Sequence, residues 1–320
     1  MNLDLLISNI TNPAFLFFIL GVIAVKLKSD LEIPANSSKF ISLYLLFSIG
    51  FKGGQELSHE TFSTEIAWSM LFGIFISLLI PVYNFFILKR KLNVYDAGAI
   101  AAAYGSVSAV TFVTAVSYLD MQKLQLHGHM VAIMALMESP AIIAGLILMS
   151  IYQKEEKLEV SKSSVVKHSF TNGSVLLILG SLVIGLFANA KQAEGIKPFT
   201  NDIFKGFLAI FLLDMGIVSG RKLSSFASSG WFPTVFAILI PLINGCMVAA
   251  LSSIVTHDVA NRFVFAVLAA SASYIAVPAA MKLAAPKANP GLYIPMALAI
   301  TFPFNITLGM PIYLMVVNAC

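Results

Sequence analysis

The chain has 320 residues and a formal charge of only +4; apolar residues make up 58% of it and charged residues 11%, with a mean hydropathy of +0.87. A soluble domain carries about 25% charged residues to cover its surface, so this composition excludes a water-exposed globular fold, and the scattered basic residues exclude a nucleic-acid-binding surface. Lipid as solvent requires every backbone polar group to be paired within the chain, and continuous rather than alternating apolar runs select helices over a barrel.

The first apolar run, Pro13–Leu27, follows a segment with neither a basic stretch nor a small-residue cleavage site, so a retained helix is expected there. Nine runs follow: Lys39–Gly54, Ile66–Leu88, Val94–Leu119, Met130–Tyr152, Val175–Ala190, Ile203–Gly220, Trp231–Val255, Val259–Leu283 and Leu292–Val317. Several are shorter than the ~20 residues that cross the hydrocarbon core unaided, and these need a thin local bilayer or burial among neighbours. One hydrophilic stretch, Gln153–Asn172, divides the chain near its middle. The expected organisation is therefore five helices in residues 1–152, a linker over 153–172 and five helices in residues 173–320.

With the N-terminus outside and loops alternating, the inner side holds 14 Lys/Arg, led by Lys26, Lys28, Lys39 and Lys89-Arg90-Lys91, against 6 outside. The preference of basic residues for cytoplasmic loops then puts both termini outside and the linker in the cytoplasm, in a multi-pass inner (plasma) membrane protein. Cys246 and Cys320 form no disulfide or metal set, and the five histidines show no metal-ligand spacing.

An internal similarity runs at a spacing of ~165 residues. The stretch 48–57 lines up with 214–223, with Gly50 on Gly216 and Gly54 on Gly220. Residues 105–108 align with 270–273, and Pro140 aligns with Pro303. Five spans per half is odd, so the halves must have opposite topology, the inverted repeat of many secondary transporters. Chance likeness between apolar segments is the competing explanation.

Spans four and nine each meet a small, polar stretch at mid-depth: Gly105-Ser106-Val107-Ser108-Ala109-Val110-Thr111 and Ser271-Ala272-Ser273-Tyr274-Ile275-Ala276-Val277-Pro278. Pro278 lacks an N–H and disfavours helix just before it, and Gly105 permits local unwinding. A broken membrane helix exposes unpaired N–H donors and a positive dipole end. Two such ends would hold an anion, with the hydroxyls of Ser106, Ser108, Thr111, Ser271 and Ser273 as further donors. Small residues and serines that merely let helices pack closely are the plainer explanation for either stretch alone. Glu138 lies about ten residues into span five, where a carboxylate is costly and commonly faces a cavity or partner. Together with Thr301 and Asn305 in span ten, it is expected to hold a cation; a structural, hydrogen-bonded carboxyl is the alternative. Asp214, close to Arg221, is expected to be structural, and Lys52 and Arg221 to be interface anchors.

The chain resembles the sodium-dependent bicarbonate transporters first known from cyanobacteria. The resemblance rests on Ile49-Gly50-Phe51-Lys52-Gly53-Gly54, Gly105-Ser106-Val107-Ser108, Glu138-Ser139-Pro140-Ala141, Ala269-Ala270-Ser271-Ala272-Ser273-Tyr274-Ile275 and Ala288-Asn289-Pro290-Gly291-Leu292-Tyr293-Ile294, in the family's order across nearly the whole chain. It implies an all-α membrane protein of about ten transmembrane helices, built as two inverted five-helix repeats with two broken crossing helices, a core domain and a gate domain. It also implies a homotrimer with elevator-like movement, bicarbonate bound between the broken helices with Na⁺ beside it, and Ser108, Thr111, Ser271 and Ser273 as binding residues. No cofactor beyond the coupling Na⁺ is implied. Three stretches depart from the family: Val-Ser-Gly-Ser-Thr is Val107-Ser108-Ala109-Val110-Thr111, Ser-Ser-Ser-Asp is Ser271-Ala272-Ser273-Tyr274, and Asp-Ile-Pro is Glu138-Ser139-Pro140. The first two remove polar groups and weaken the inference of bicarbonate over another small anion, with Tyr274 placed either to donate a hydrogen bond or to fill the site. The short linker weakens docking of a PII-like regulatory protein.

The leading expectation is therefore Na⁺-coupled symport of bicarbonate or a similar small anion. The alternatives are an ion-coupled transporter of a small organic acid, a cation/proton exchanger, and a membrane sensor or scaffold with a degenerate site. An exchanger is disfavoured because spans four and nine lack core aspartates at their breaks. A membrane enzyme is disfavoured because no mid-membrane His, Lys or paired aspartates accompany the serines.

Overall fold

A computed structural model of the protein describes residues 13–59, 63–153, 173–226 and 230–320, so residues 154–172 of the expected linker lie outside the described residues. The described residues are helical throughout, with no strand among them. The elements in chain order are α1 (Pro13–Lys26), α2 (Ala35–His59), α3 (Thr64–Leu88), α4 (Val94–Gly105), α5 (Ala109–Met121), α6 (His129–Tyr152), α7 (Gly173–Phe187) and α8 (Ala190–Lys197). Then come α9 (Phe204–Phe226), α10 (Trp231–Leu251), α11 (Val259–Ala270), α12 (Ala276–Ala284), α13 (Pro290–Pro295), α14 (Phe302–Phe304) and α15 (Met310–Ala319). The last three form one rod joined by π-type turns at Met296–Thr301 and Asn305–Gly309.

Six helical stretches among the described residues are long and apolar enough to cross a membrane, and three shorter apolar helices accompany them. Of the ten expected spans, α2 is long enough, at 25 residues, but not apolar enough, because it carries Lys39, Lys52, Gln55 and Glu56 along its length. The span expected over Val175–Ala190 ends at Phe187, where Asn189 starts the polar helix α8 with a reciprocal cap to Gln192. Outward faces of α3 and α10 expose Trp68, Phe75, Trp231 and Ile243, as a lipid-facing helix does.

Two close crossings share one construction. Gly21 of α1 meets Gly216 of α9, and a Cβ on either would fall 2.3 Å from the Leu213 carbonyl or 2.1 Å from that of Phe18. Gly54 of α2 meets Gly185 of α7, where a Cβ would fall 2.1 Å from the Leu182 carbonyl or 2.2 Å from that of Phe51. Backbone approach of this kind is what small residues supply where helices lack a hydrophobic drive to associate. In these contacts Gly54, not Gly50, takes the part that Gly216 plays. The sequence alignment instead pairs Gly50 with Gly216 and Gly54 with Gly220.

Contacts between loops sort them into sides. Arg221 pairs with Glu32 at 3.6 Å, Asp96 accepts from Asn289 N–H at 2.7 Å, and the Tyr95 hydroxyl donates to Gln153 at 3.2 Å. Elsewhere Gln125 donates to Glu56 at 2.8 Å, and His127 lies 3.2 Å from Asn261 and 3.6 Å from Asp258. Each contact joins loops that an alternating path of spans puts on one side of the bilayer.

The centre of the molecule is the pair of half-helices α4 and α11, buried nearly all round. Ala97, Ala99, Ala101, Ala102 and Ala103 on one, and Phe263, Val264, Ala266, Val267 and Ala270 on the other, have no exposed surface. Small side chains let neighbouring backbones close on α4, as where Gly98 faces Met149 and Gly145 faces Ala102.

Candidate functional site

Half-helices α4 and α11 are both 12 residues long, so at 1.5 Å per residue each reaches about 18 Å, past the middle of a ~30 Å hydrocarbon core. Asn93 caps α4 by accepting from Asp96 N–H at 2.9 Å, and Asp258 caps α11 by accepting from Asn261 N–H at 2.8 Å. Each half-helix ends on a serine in extended backbone, Ser106 at φ −82°, ψ 174° and Ser271 at φ −81°, ψ 167°. The chain then restarts as a helix at Ala109 after three residues and at Ala276 after five.

Breaking a membrane helix strands backbone donors and acceptors that water cannot reach. Here the two breaks satisfy each other. Ser108 N–H donates to Ser271 Oγ at 3.0 Å, Ser271 Oγ donates to Leu268 O at 2.8 Å, and Ser273 N–H donates to Ala103 O at 2.8 Å. The freed carbonyls at the end of α11 take side-chain amides: Asn305 donates to Ala270 O at 2.8 Å and Asn244 to Ala269 O at 3.3 Å. Tyr313 donates to Asn305 at 2.9 Å, and the Tyr83 hydroxyl donates to Asn244. Gly105 serves this arrangement through space rather than unwinding, since a Cβ would fall 2.2 Å from Pro81 and its φ is not positive.

The restarted helices point their N-termini at a common cavity. Ser108 Oγ caps α5 by accepting from Thr111 N–H at 3.1 Å, while Ala109 and Val110 keep first-turn N–H groups with no intrahelical partner. Ser273 Oγ lies 3.4 Å from Val277 N in the first turn of α12. Pro278 stands in that turn too, where its missing N–H costs nothing. A cavity of about 40 Å³ lies between them, lined by Ser108, Ser273, Tyr274 and Glu138 and, across from them, by Ser42, Leu45 and Phe211 of α2 and α9. By the ~10–15 Å³ that one water-sized sphere needs, this is room for roughly three or four such spheres. Glu138 is partly buried, and its carboxylate joins none of the hydrogen bonds around the breaks; only its backbone carbonyl accepts, from Ser106 Oγ at 3.2 Å.

The expected residues thus separate. Ser108, Ser273, Tyr274 and Glu138 line the cavity; Gly105, Ser106, Thr111 and Ser271 stand behind them and fix the two breaks. Thr301 and Asn305 do not line it. Thr301 donates to Ala237 O at 2.7 Å and accepts from Tyr104 at 2.7 Å, and Asn305 holds the end of α11. Sequence reasoning passed over Ser42 and the supporting Tyr83, Asn244 and Tyr313. A signal for two of them was present: Ile80-Pro81-Val82-Tyr83-Asn84 and Ile240-Pro241-Leu242-Ile243-Asn244 repeat one pattern in spans three and eight.

A second, open cavity of about 1290 Å³ leads up to the first, with Glu32, Lys39 and Arg221 among its lining residues. Deeper in it Asp214 accepts from the Ser38 hydroxyl. The sequence expectation of a structural Asp214 near Arg221 agrees with this bond, and Arg221 is tied to Glu32.

No curated protein sequence matches the chain significantly. The profile of the Na⁺-dependent bicarbonate transporter superfamily matches residues 13–318, nearly the whole chain. With its apolar helices, this makes it a multi-pass membrane transport protein rather than an enzyme. The chain belongs to the Na⁺-dependent bicarbonate transporter superfamily.

Proposed function

We propose that the protein is a Na⁺-coupled symporter of bicarbonate or a similar small monovalent anion. The observation that carries this reading is the cavity between the two breaks, where the N-termini of α5 and α12, the hydroxyls of Ser108 and Ser273 and the carboxylate of Glu138 converge. The half-helix ends and hydroxyls favour the anion. A cation beside the Glu138 carboxyl favours its ionised form and offsets its charge near the anion, so the two ions bind better together than apart. Bringing an anion into a negative-inside cell costs about 2.3 kcal/mol per charge per 100 mV, which inward Na⁺ offsets.

Two inverted repeats, residues 1–152 and 173–320, account for the paired glycine crossings, the paired 12-residue half-helices and their matching serine ends. In this reading α1, α2, α7 and α9 form the gate, and the broken helices with α3, α6, α10 and the C-terminal rod form the core. The cavity lies where the two meet, as an elevator-like movement of the core requires. With both termini outside, the Lys39 and Arg221 end of the open vestibule is cytoplasmic, and the conformation is inward-facing. Purified protein in liposomes should accumulate labelled bicarbonate only under an inward Na⁺ gradient. Accumulation that ignores Na⁺, or none of any small anion by folded protein, overturns the proposal.

A further inference from the structure

The small cavity and the open vestibule share five lining residues: Ser42, Val110, Phe211, Tyr274 and Ile275. These form the partition between the place where an anion would rest and the space that leads out. Val110 and Phe211 are fixed in the core, 6% and 1% exposed, whereas Ile275 faces the vestibule at 48%. Tyr274 is the partition's one aromatic side chain on a non-helical segment, in the five-residue break between α11 and α12. Its ring packs edge-on against Phe302, with centroids 6.4 Å apart. Its hydroxyl reaches Met215 Sδ at 3.9 Å, and Ser108 lines the cavity beside it.

Tyr274 and Ser108 line the same small cavity, which joins the partition to the site. Ser108 is the residue whose oxygen caps α5 and lines the cavity. Behind the ring the space of about 40 Å³ suits an ion of about four heavy atoms; without the ring it opens into some 1290 Å³.

We propose that Tyr274 closes the inner mouth of the cavity and sets the largest anion that the cavity accepts. This rests on the cavity being the anion site, and the test separates the two claims. In a background of Cys246→Ser and Cys320→Ser, cysteines are placed at Val107, which lines only the inner cavity, and at Leu43, which lines only the vestibule. Their modification by the anionic reagent sulfonatoethyl methanethiosulfonate is timed in purified protein, with no transport needed. Tyr274→Ala should speed modification at Val107→Cys at least tenfold and leave Leu43→Cys unchanged, while Tyr274→Phe, which keeps the ring, should stay within about twofold of the parent. An unchanged Val107→Cys rate in Tyr274→Ala overturns the gate; if that variant does not fold, Tyr274→Val carries the same prediction. In liposomes, uptake of pyruvate, an anion of six heavy atoms, relative to bicarbonate should rise at least tenfold in Tyr274→Ala, and an unaltered ratio overturns the size filter. A protein that moves no anion at all refutes the transport proposal and leaves the labelling rates to judge the gate.

Discussion

Removing the Ser108 hydroxyl takes away the cap of α5 and one of the groups that line the cavity. Loss of an N-cap costs ~1 kcal/mol, so Ser108→Ala should stay folded and weaken anion binding about tenfold, visible as a raised bicarbonate concentration for half-maximal uptake. Glu138→Gln keeps the side chain's shape and removes its ability to ionise; the Na⁺ dependence of uptake should be lost or shifted at least tenfold, and an unchanged Na⁺ titration would remove Glu138 from the cation site. Ser108, Ser273, Tyr274 and Glu138 were legible in the sequence because hydroxyls, a proline and a carboxylate stand out within apolar runs. Thr301 and Asn305 stand outside the cavity lining for a geometric reason. Their place in span ten tells their depth, but π-type turns on both sides of Phe302–Phe304 rotate the face each presents. Gly105 was legible as special, though its use is contact with Pro81 rather than a turn.

Between elements, the two asparagines of the repeated Pro-x-x-Asn pattern make a sharp contrast. Asn244 is bonded through both its amide atoms, whereas neither amide atom of the fully buried Asn84 has a partner among the described residues. Taking one partner from a buried hydrogen bond costs ~1–3 kcal/mol, but replacing an unbonded polar group by an apolar one of like shape is near neutral. Asn244→Leu should therefore lower the melting temperature in detergent, and Asn84→Leu should leave it unchanged or raise it. Equal losses would contradict the assignment. At the crossings, Gly54→Leu and Gly216→Leu force side chains against backbone that a Cβ alone would meet at 2.1 Å, so both should abolish folded expression, whereas Gly180→Leu, with open space around it, should not. Glycines four residues apart recur along these helices, so two alignments of the halves fit almost equally well. The glycine contacts favour the alignment that sets Gly54 against Gly216.

At the scale of the molecule, membrane residence and helical class were plain from composition, because nothing else keeps so apolar a chain out of water. The proposed division into a gate and a core came from the family resemblance rather than from any one helix, since it depends on which helices pack together. With the proposed orientation, a cysteine at Lys39 should react with a membrane-impermeant maleimide only from the cytoplasmic side, and one at Glu56 only from outside; the reverse pattern would invert the topology. The central claim is that both broken helices hold one transported anion. Its most direct test is Na⁺-driven uptake of labelled bicarbonate into proteoliposomes by the parent protein and by Ser108→Ala/Ser273→Ala. The account predicts robust Na⁺-dependent uptake by the parent and at least a hundredfold loss in the double variant at low bicarbonate, with its melting temperature within a few degrees of the parent. Uptake that survives both substitutions in well-folded protein would contradict it.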